Sequence, residues 1–547
     1  MERVWYASYD KGVPKSIQYP DLSLYDLLDR SGENYPENDA LIFMGKRIKY
    51  RKLKELTDRF ARALIDLGIE RGDRIALFLP NCPQYVIAFY GTIKAGAIVV
   101  PNNPLLSGKE LSYQIEDSGA KAIVTLNLKM LYHKVMEVKR EVGIENVILS
   151  SLEKYLPFPK NVLFPLVKRR EISKASGDVL RFEKLLEVEA KTPEVKVDPG
   201  DVAAIFYTTG TTGKPKPVAL THRNLVINAV QCKEWFGVEE GNEIFLTPLP
   251  FFHTYALTTA LNAPFLTSST VIMTPTFNVK ETLKLIARYK PNYFVGVPPV
   301  FEAINRYPET PKYDFSSIRF AVSGASPLSQ ETLSRFKELT GVDLIEGYGL
   351  TEASPVTHCN PRRGKRKGIG LPFPDTDCKI IDLKTGEELP PGREGELCIK
   401  GPQVMPGYWR REEETREVLK DGWLHTGDIA RMDEEGYFEI VVRKKDLITV
   451  RLPEDMDGIH VYPEEIERVL TQHPKVKEAG VVGVPSPLGE RIKAFVVKAG
   501  EVTAEEIMDF CRRNLAHYKV PEMIEFIEEL PKNIMGKILR RELRERG

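Results

Sequence analysis

Phe206-Tyr-Thr-Thr-Gly-Thr-Thr-Gly-Lys-Pro-Lys-Pro-Val-Ala-Leu220 is the stretch from which the rest of this chain is read. An apolar run from Ala203 leads into it, and a helix-like segment from His222 leads out. It carries four threonines, two glycines and two lysines. Glycine lets the backbone fold back so that successive N–H groups converge, while hydroxyl and ammonium groups add donors. Such a loop grips polyphosphate, each hydrogen bond to a charged oxygen contributing about 1.5–3 kcal/mol net. Gly210 and Gly213 stand too close together for the G-x-x-x-x-G-K-[ST] loop. Taken alone, the stretch reads equally well as a polar hairpin turn.

Working outward, the chain on either side alternates between strand and helix patterns. Residues 40–50 read as a hairpin turning at Gly45, and 51–67 as a helix with Leu53, Leu56, Phe60 and Leu64 on one face. Strands are expected at 74–79, 97–100, 120–125 and 145–149, with helices at 83–94, 109–117 and 129–142 between them. From Asp198 a second alternating unit begins with the Thr/Gly/Lys loop, with strands at 243–247, 270–273, 293–297, 319–322 and 343–345. This alternation predicts α/β architecture with doubly wound parallel sheets. Beyond Glu352 the period shortens to two, as in a small β-rich subdomain. After Arg443 a compact α+β domain is expected, with helices at 464–470 and 504–514 and strands at 478–484 and 491–497.

Length and composition bound the possibilities. A chain of 547 residues is too long for one core and implies roughly three or four domains or subdomains. Lys+Arg and Asp+Glu balance at 77 each, so bulk charge gives no reason to expect nucleic acid. No apolar run reaches a membrane-spanning length, and the N-terminus lacks the apolar core of a signal peptide. Six scattered cysteines with no CxxC pair suit reduced thiols in a cytoplasm and argue against zinc.

Four further strings follow the loop: Glu346-Gly-Tyr-Gly-Leu-Thr-Glu352, Gly422-Trp-Leu-His-Thr-Gly-Asp428, Arg443-Lys-Lys-Asp446 and Pro531-Lys-Asn-Ile-Met-Gly-Lys537. In order and spacing the five motifs resemble the core motifs of the adenylate-forming superfamily of acyl-CoA synthetases, peptide-synthetase adenylation domains and luciferases. The resemblance runs from about residue 24 to 544. It implies a large N-terminal domain, 1–443, of two doubly wound α/β subdomains plus a β-rich subdomain at about 353–443. A mobile C-terminal α+β domain, 444–547, would follow.

The resemblance also implies roles. Thr208, Thr209, Gly210, Thr211, Thr212, Gly213 and Lys216 match the loop that grips the β- and γ-phosphates of ATP. Gly324, Ala325 and Ser326 match the turn along adenine, and Tyr348, within Glu346, Gly347 and Gly349, offers the stacking ring. Thr351 would contact the α-phosphate. Glu352 with Thr208 would hold Mg2+, a hard cation content with few protein oxygens. Asp428 would chelate the ribose hydroxyls with Arg443 beside it, and Lys445 occupies the hinge. Lys537 would reach the carboxylate and α-phosphate during adenylation. His253 falls near the carboxylate's place, although a satisfied histidine on an apolar segment explains it nearly as well.

Two departures stand out. Pro217 replaces the usual glycine and removes an N–H donor. Residues 452–457 insert Leu-Pro-Glu-Asp-Met-Asp before Gly458. The insertion either faces the thiol tunnel or bulges into solvent, and the bulge is the favoured reading.

Residues 151–185 break the alternation with aromatic and aliphatic residues, three prolines and the basic run Lys168, Arg169 and Arg170. A surface excursion is the plainer reading; a shallow membrane-contact patch is the sharper one. The segment also resembles that of bacterial long-chain fatty acyl-CoA synthetases. The expected activity is therefore ATP-dependent joining of a long-chain fatty acid to CoA through an acyl-adenylate, with the apolar segments 254–266 and 293–300 lining an acyl tunnel. A medium-chain or aryl acid–CoA ligase and an acyl-AMP ligase loading a carrier protein are the alternatives. The expected partners are a fatty acid, ATP and CoA, with a homodimer and peripheral membrane contact as further expectations. No carrier-protein domain follows Gly547, which reads as a free-standing cytoplasmic enzyme.

Overall fold

The computed structural model describes residues 3–173, 178–189, 195–208, 215–452, 455–486, 489–533 and 536–546; the side chains of 445, 451–460 and 489 are left aside. Two large sheets dominate. The eight-stranded sheet runs, in spatial order, Gly407–Tyr408, Lys216–Thr221, Val202–Thr208, Ile98–Asn102, Arg74–Phe78, Ala120–Leu126, Asn146–Ser150 and Leu180–Arg181. The nine-stranded sheet runs Leu371–Pro372, Val356–Cys359, Leu344–Gly349, Phe320–Ser323, Tyr293–Gly296, Ile244–Thr247, Thr270–Met273, Asp39–Phe43 and Lys46–Lys49. Their central strands are parallel, as the alternation predicts. Most of their residues are apolar and buried because both faces are covered.

The order of the chain does not follow the order of the sheets. The hairpin 39–49 leads the first α/β run but joins the nine-stranded sheet, where Leu41 pairs with Val271. The hairpin that bears the Thr/Gly/Lys loop belongs to the eight-stranded sheet, where Val99 pairs with Ala204. The expectation that a second unit opens at Asp198 is thus corrected: each sheet borrows a hairpin from the other's stretch of sequence. Periodicity reports which residues face a core, and it is silent on which sheet a strand joins.

Two helices lie between the sheets. Pro83–Lys94 is buried along its entire length, the pattern of a helix covered all round. Its Tyr85 hydroxyl donates to the Phe251 carbonyl at 2.8 Å, and its Tyr90 hydroxyl to Asn262 Oδ1 at 2.9 Å. His222–Phe236 is nearly as buried. Its start is fixed by a capping box in which Thr221 and Asn224 satisfy each other's backbone N–H.

The β-rich sheet comprises Asp377–Ile381, Glu394–Lys400, Trp423–Met432, Leu419–Lys420 and Phe438–Arg443. Val356–Cys359 and Leu371–Pro372 extend the nine-stranded sheet instead, so the β-rich sheet starts some twenty residues later than the change of period suggests. The C-terminal residues build a five-stranded sheet, Asp455–Val461, Ile448–Leu452, Gly489–Lys498, Val476–Ser486 and Met523–Ile527, around a core of its own. In it Leu452 pairs with Asp455, continuing the pairing of Ile448 with Val461, while Pro453 and Glu454 of the 452–457 insertion lie outside the described residues. All six cysteines are buried and free.

One ammonium group ties three helices of the large domain. Lys94, only 2% exposed, lies 2.5 Å from Asp29 on Asp26–Asn34 and also pairs with Asp58 on Tyr50–Asp66. Removing one partner of a buried pair costs about 3–5 kcal/mol because the remaining charges stay uncompensated. Lys94→Met should therefore lower the unfolding midpoint of the large domain in urea, and adding Asp29→Asn and Asp58→Asn should recover most of the loss. An unchanged midpoint in Lys94→Met would show that the cluster is not structural.

Candidate functional site

The strand Leu344–Gly349 carries the candidate site. Leu344 and Ile345 are buried in the nine-stranded sheet, after which the strand turns polar as Glu346-Gly-Tyr-Gly and pairs antiparallel with Val356–Cys359. Tyr348 projects to the β-rich sheet, where its hydroxyl donates to Asp428 Oδ2 at 2.6 Å. Asp428 is 2% exposed, and Arg443 Nε meets its other oxygen at 2.9 Å. Arg443 sits opposite Asp428 on the neighbouring strand, so register alone brings the pair together. Thr426 closes the turn by accepting the Asp428 N–H.

A second cluster lies along the phosphate hairpin. The short strand Gly407–Tyr408 pairs with Val218 and Ala219. That pairing puts the Tyr408 hydroxyl 2.9 Å from Glu352 Oε1 and the Tyr408 ring 5.1 Å from the Lys216 ammonium. Lys216 also pairs with Glu414 at 3.0 Å, and Arg411, on the same segment, is bonded to Asp117. Residues 209–214, which include Thr209, Gly210, Thr211, Thr212 and Gly213, lie outside the described residues. Thr208 is described, its hydroxyl 3.5 Å from the Lys216 carbonyl across the hairpin. Pro217 stands opposite Tyr207 within the strand, and its carbonyl accepts from Trp409 N at 2.7 Å, so the missing N–H leaves this edge paired through oxygen. Glu352 also acts electrostatically on Arg443, which links the two clusters.

Thr351 follows on the same segment, its hydroxyl 3.4 Å from that of Thr254. Beside Thr254, His253 caps a helical turn by accepting the Tyr255 N–H on Nδ1 at 3.3 Å, which leaves the proton on Nε2. Burial pushes the imidazole down to about 4, so it is neutral near pH 7. At the Gly324-Ala325-Ser326 turn Ala325 has φ +69°, a strained value for a residue with a Cβ. A Cβ on Gly324 would sit 3.0 Å from the Tyr255 ring. The Tyr255 hydroxyl and the Gly324 N–H both reach the Gly296 carbonyl.

Lys537 arrives from the other domain. Its N–H is held by Asn533 Oδ1 at 2.9 Å. The preceding Gly536, at φ +81°, packs so closely on Pro299 that a Cβ would collide with the proline ring. Pro299 lies just beyond Gly296, so the lysine loop abuts the large domain at the edge of the Gly324 turn. The side chain of Lys445 is not described, but its neighbours divide between domains. Arg443 and Lys444 bond to Asp428 and Glu396 in the β-rich sheet, whereas Asp446 bonds to Arg544 on the last helix.

The donor types suit a hard divalent cation: Glu352 would offer one carboxylate and Thr208 one hydroxyl to Mg2+. Among the described residues no group of three or more His, Cys, Asp or Glu could form an all-protein metal cage. The sequence reading missed Tyr408 and Glu414, and it placed Thr254 and Tyr255 only within the apolar segment 254–266. A Gly-Tyr-Trp string gives no chemical signal by itself, and only its pairing with the phosphate hairpin assigns Tyr408 a partner.

Two family models match the chain: "AMP-binding enzyme" over residues 28–409 and "AMP-binding enzyme C-terminal domain" over 465–537. The long-chain-fatty-acid–CoA ligase of Bacillus subtilis (strain 168) is 42% identical, the alignment covering 100% of this chain and 98% of the relative. The ligase of the same name from Escherichia coli O6:H1 is 41% identical with the same coverage. Among solved structures, ATP-bound MatB from Rhodopseudomonas palustris superposes with a TM-score of 0.84 at 28% identity, over 96% of this chain and 99% of that one.

Glu346 yields a pH test. Burial pushes its carboxyl up to about 8, against an ordinary 4.5, although the Leu328 N–H works in the opposite direction. The folded protein then holds a proton that the unfolded chain has lost, so this group's contribution to stability falls as pH rises from about 4.5 to 8. Glu346→Gln should melt like the parent at pH 5 and at a higher temperature at pH 8. Parallel melting curves at both pH values would mean that Glu346 is ionised in the fold.

Proposed function

Because the chain belongs to the AMP-binding enzymes, we propose that it is an ATP-dependent long-chain fatty acid–CoA ligase: acid and ATP give acyl-AMP and pyrophosphate, then CoA gives acyl-CoA and AMP. The observation that carries this reading is the convergence of Lys216, Glu352, Tyr348, Asp428 and Arg443, with the Lys537 loop set against the same domain. Full-length similarity to ligases of that name supports the choice of acid.

The chemical difficulty is that a carboxylate must approach a triphosphate of like charge. Lys216, Thr208 and the loop 209–213 take the β- and γ-phosphates, and Thr351 the α-phosphate. Mg2+, held by Thr208 and Glu352, would neutralise phosphate charge. For this, Lys216 turns away from Glu414, and Glu352 exchanges its Tyr408 hydroxyl. Gly324, Ala325 and Ser326 lie along adenine and Tyr348 stacks on it, with Glu346, Gly347 and Gly349 shaping the strand. Asp428 retains lone pairs for the ribose hydroxyls beyond those used by Tyr348 and Arg443. His253 presents a neutral N–H donor near the acid, so it brings no charge that a proton must leave. The buried helical stretch from Thr254 to Leu266 would flank the acyl chain. Lys537 lies across the carboxylate and α-phosphate in the first step. Lys445 stands where the bonding of the chain changes from one domain to the other, which suits a hinge for the second. A homodimer rests on the family resemblance alone. Cytoplasmic residence with peripheral contact at a membrane rests on the reduced thiols and the exposed segment 158–170.

AMP and acyl-CoA formation with Mg-ATP should be measured on acetate, octanoate, benzoate and palmitate, with and without CoA. CoA-dependent palmitoyl-CoA is the expected result. Preference for benzoate or octanoate, or acyl-AMP that accumulates despite CoA, would replace the proposal with an aryl or medium-chain ligase, or with an acyl-AMP ligase that loads another acceptor. Lys537→Ala should lose adenylation by roughly 10²–10³, as oxyanion donors do, and still convert supplied acyl-AMP to acyl-CoA. Equal loss of both half-reactions would rule out a role for Lys537 confined to adenylation.

A further inference from the structure

The reaction proposed above gives no part to His358, which is fully buried beside the strand that carries Tyr348. It lies on Val356–Cys359 directly opposite Tyr348 in the antiparallel pairing, so both side chains leave the same face of the sheet. The His358 and Tyr348 rings meet edge to face, their centroids 5.7 Å apart and their planes at 67°. His358 makes a second contact of this kind with Phe438, at 4.9 Å and 64°. Such contacts set a positive ring edge against a negative face, so they prefer one orientation over others.

Both nitrogens of the His358 ring are held as well. Nδ1 lies 2.9 Å from the Thr357 hydroxyl and Nε2 3.5 Å from the Cys378 thiol. Burial pushes the imidazole down to about 3, so near pH 7 it is neutral, with one nitrogen donating and the other accepting. Tyr348 belongs to the nine-stranded sheet, whereas Cys378 and Phe438 lie on the first and last strands of the β-rich sheet. The His358 ring is thus fixed from both sheets, in packing that leaves it little freedom to turn. Tyr348 differs. Its ring is only partly buried, and its hydroxyl is committed to Asp428. The hydroxyl bond fixes where the ring ends, and the His358 edge fixes which way its plane faces.

We infer that His358 is a positioning residue of the nucleotide site, a fixed ring edge that sets the plane of Tyr348 and keeps its hydroxyl on Asp428. The inference rests on the ligase reading, in which adenine stacks on Tyr348 and ribose meets Asp428. It commits His358 to the adenosine half of the nucleotide alone. The phosphate half depends on the hairpin that carries Lys216, and none of the described contacts of His358 reaches that hairpin. A histidine that only filled the core would show in the melting temperature and would not separate the two halves.

The test is calorimetric titration of the full chain with AMP and, separately, with inorganic tripolyphosphate. His358→Ala should weaken AMP binding roughly tenfold, within the range of coupling between residues in contact, and leave tripolyphosphate binding unchanged. His358→Phe, which restores a ring at that place, should recover most of the lost affinity. In a Tyr348→Phe background His358→Ala should cost little more, because the bond it protects is already gone. Melting temperatures report folding; should the alanine variant not fold, His358→Leu, of similar size without a flat ring, carries the same expectation. AMP binding unchanged in the alanine or leucine variant, equal loss of AMP and tripolyphosphate, a phenylalanine variant as weak as the alanine one, or losses that add in the double variant would overturn the inference. If the unaltered chain fails to bind AMP, the ligase reading falls and this inference with it. If the unaltered chain binds AMP and the variants bind it equally well, only the inference falls.

Discussion

One buried carboxylate fixes the relation among the parts of this molecule. Asp428 is almost wholly removed from water and has to be satisfied by the protein. Tyr348 does so from the nine-stranded sheet and Arg443 from the last strand of the β-rich sheet. Losing either would leave a buried charge short of partners, so the two sheets are held at the distance that Tyr348 spans. The same bond sets where the chain leaves for the C-terminal domain, since Arg443 ends the strand and the turn Lys444–Asp446 follows directly.

The site's charges are paired internally before any nucleotide arrives. Lys216 rests on Glu414, Glu352 accepts from Tyr408, and burial raises the Glu346 carboxyl above its ordinary range. Under the proposed function, binding a triphosphate here would be an exchange of partners rather than the capture of bare charges. The Lys216–Glu414 pair is partly exposed, and such pairs contribute only about 0–1 kcal/mol. Charge-assisted bonds to phosphate are about twice as strong as neutral ones, so the exchange favours the ligand. A stronger resting pair would have hindered binding, and an unpaired lysine would have left a net charge in the cleft.

Much of this was legible in the sequence, because the signals were local. The helix 83–94 and the helix 504–514 appear where their spacing puts them. Asp428 and Arg443 meet because both ends of a β-hairpin are visible in the chain. What was not legible depends on partners remote in sequence. The two exchanged hairpins carry ordinary strand patterns, and nothing in Leu41 or Ala204 says which sheet it will join. Tyr408 is an unremarked aromatic until Val218 lies beside it. The raised carboxyl of Glu346 comes from burial, while the letter itself reads as an ordinary acid.

The strengths of the contacts on either side of residue 445 explain how one chain can present two faces to one site. Inside the C-terminal domain Arg540, nearly buried, is shared by Glu464 and Glu467 at 2.9 and 2.8 Å, and the Glu467 carboxylate also takes the Val481 N–H. Breaking that network would strand buried charge, so it holds the C-terminal domain together. Across the boundary the ties are of another kind. The Tyr462 hydroxyl meets an exposed Glu394 at 3.0 Å. Water replaces such partners at little cost. The Gly536–Pro299 contact is apolar and small. Strong bonds within the C-terminal domain and weak ones across the boundary would suit the hinge proposed near Lys445, and with it the two-step reaction.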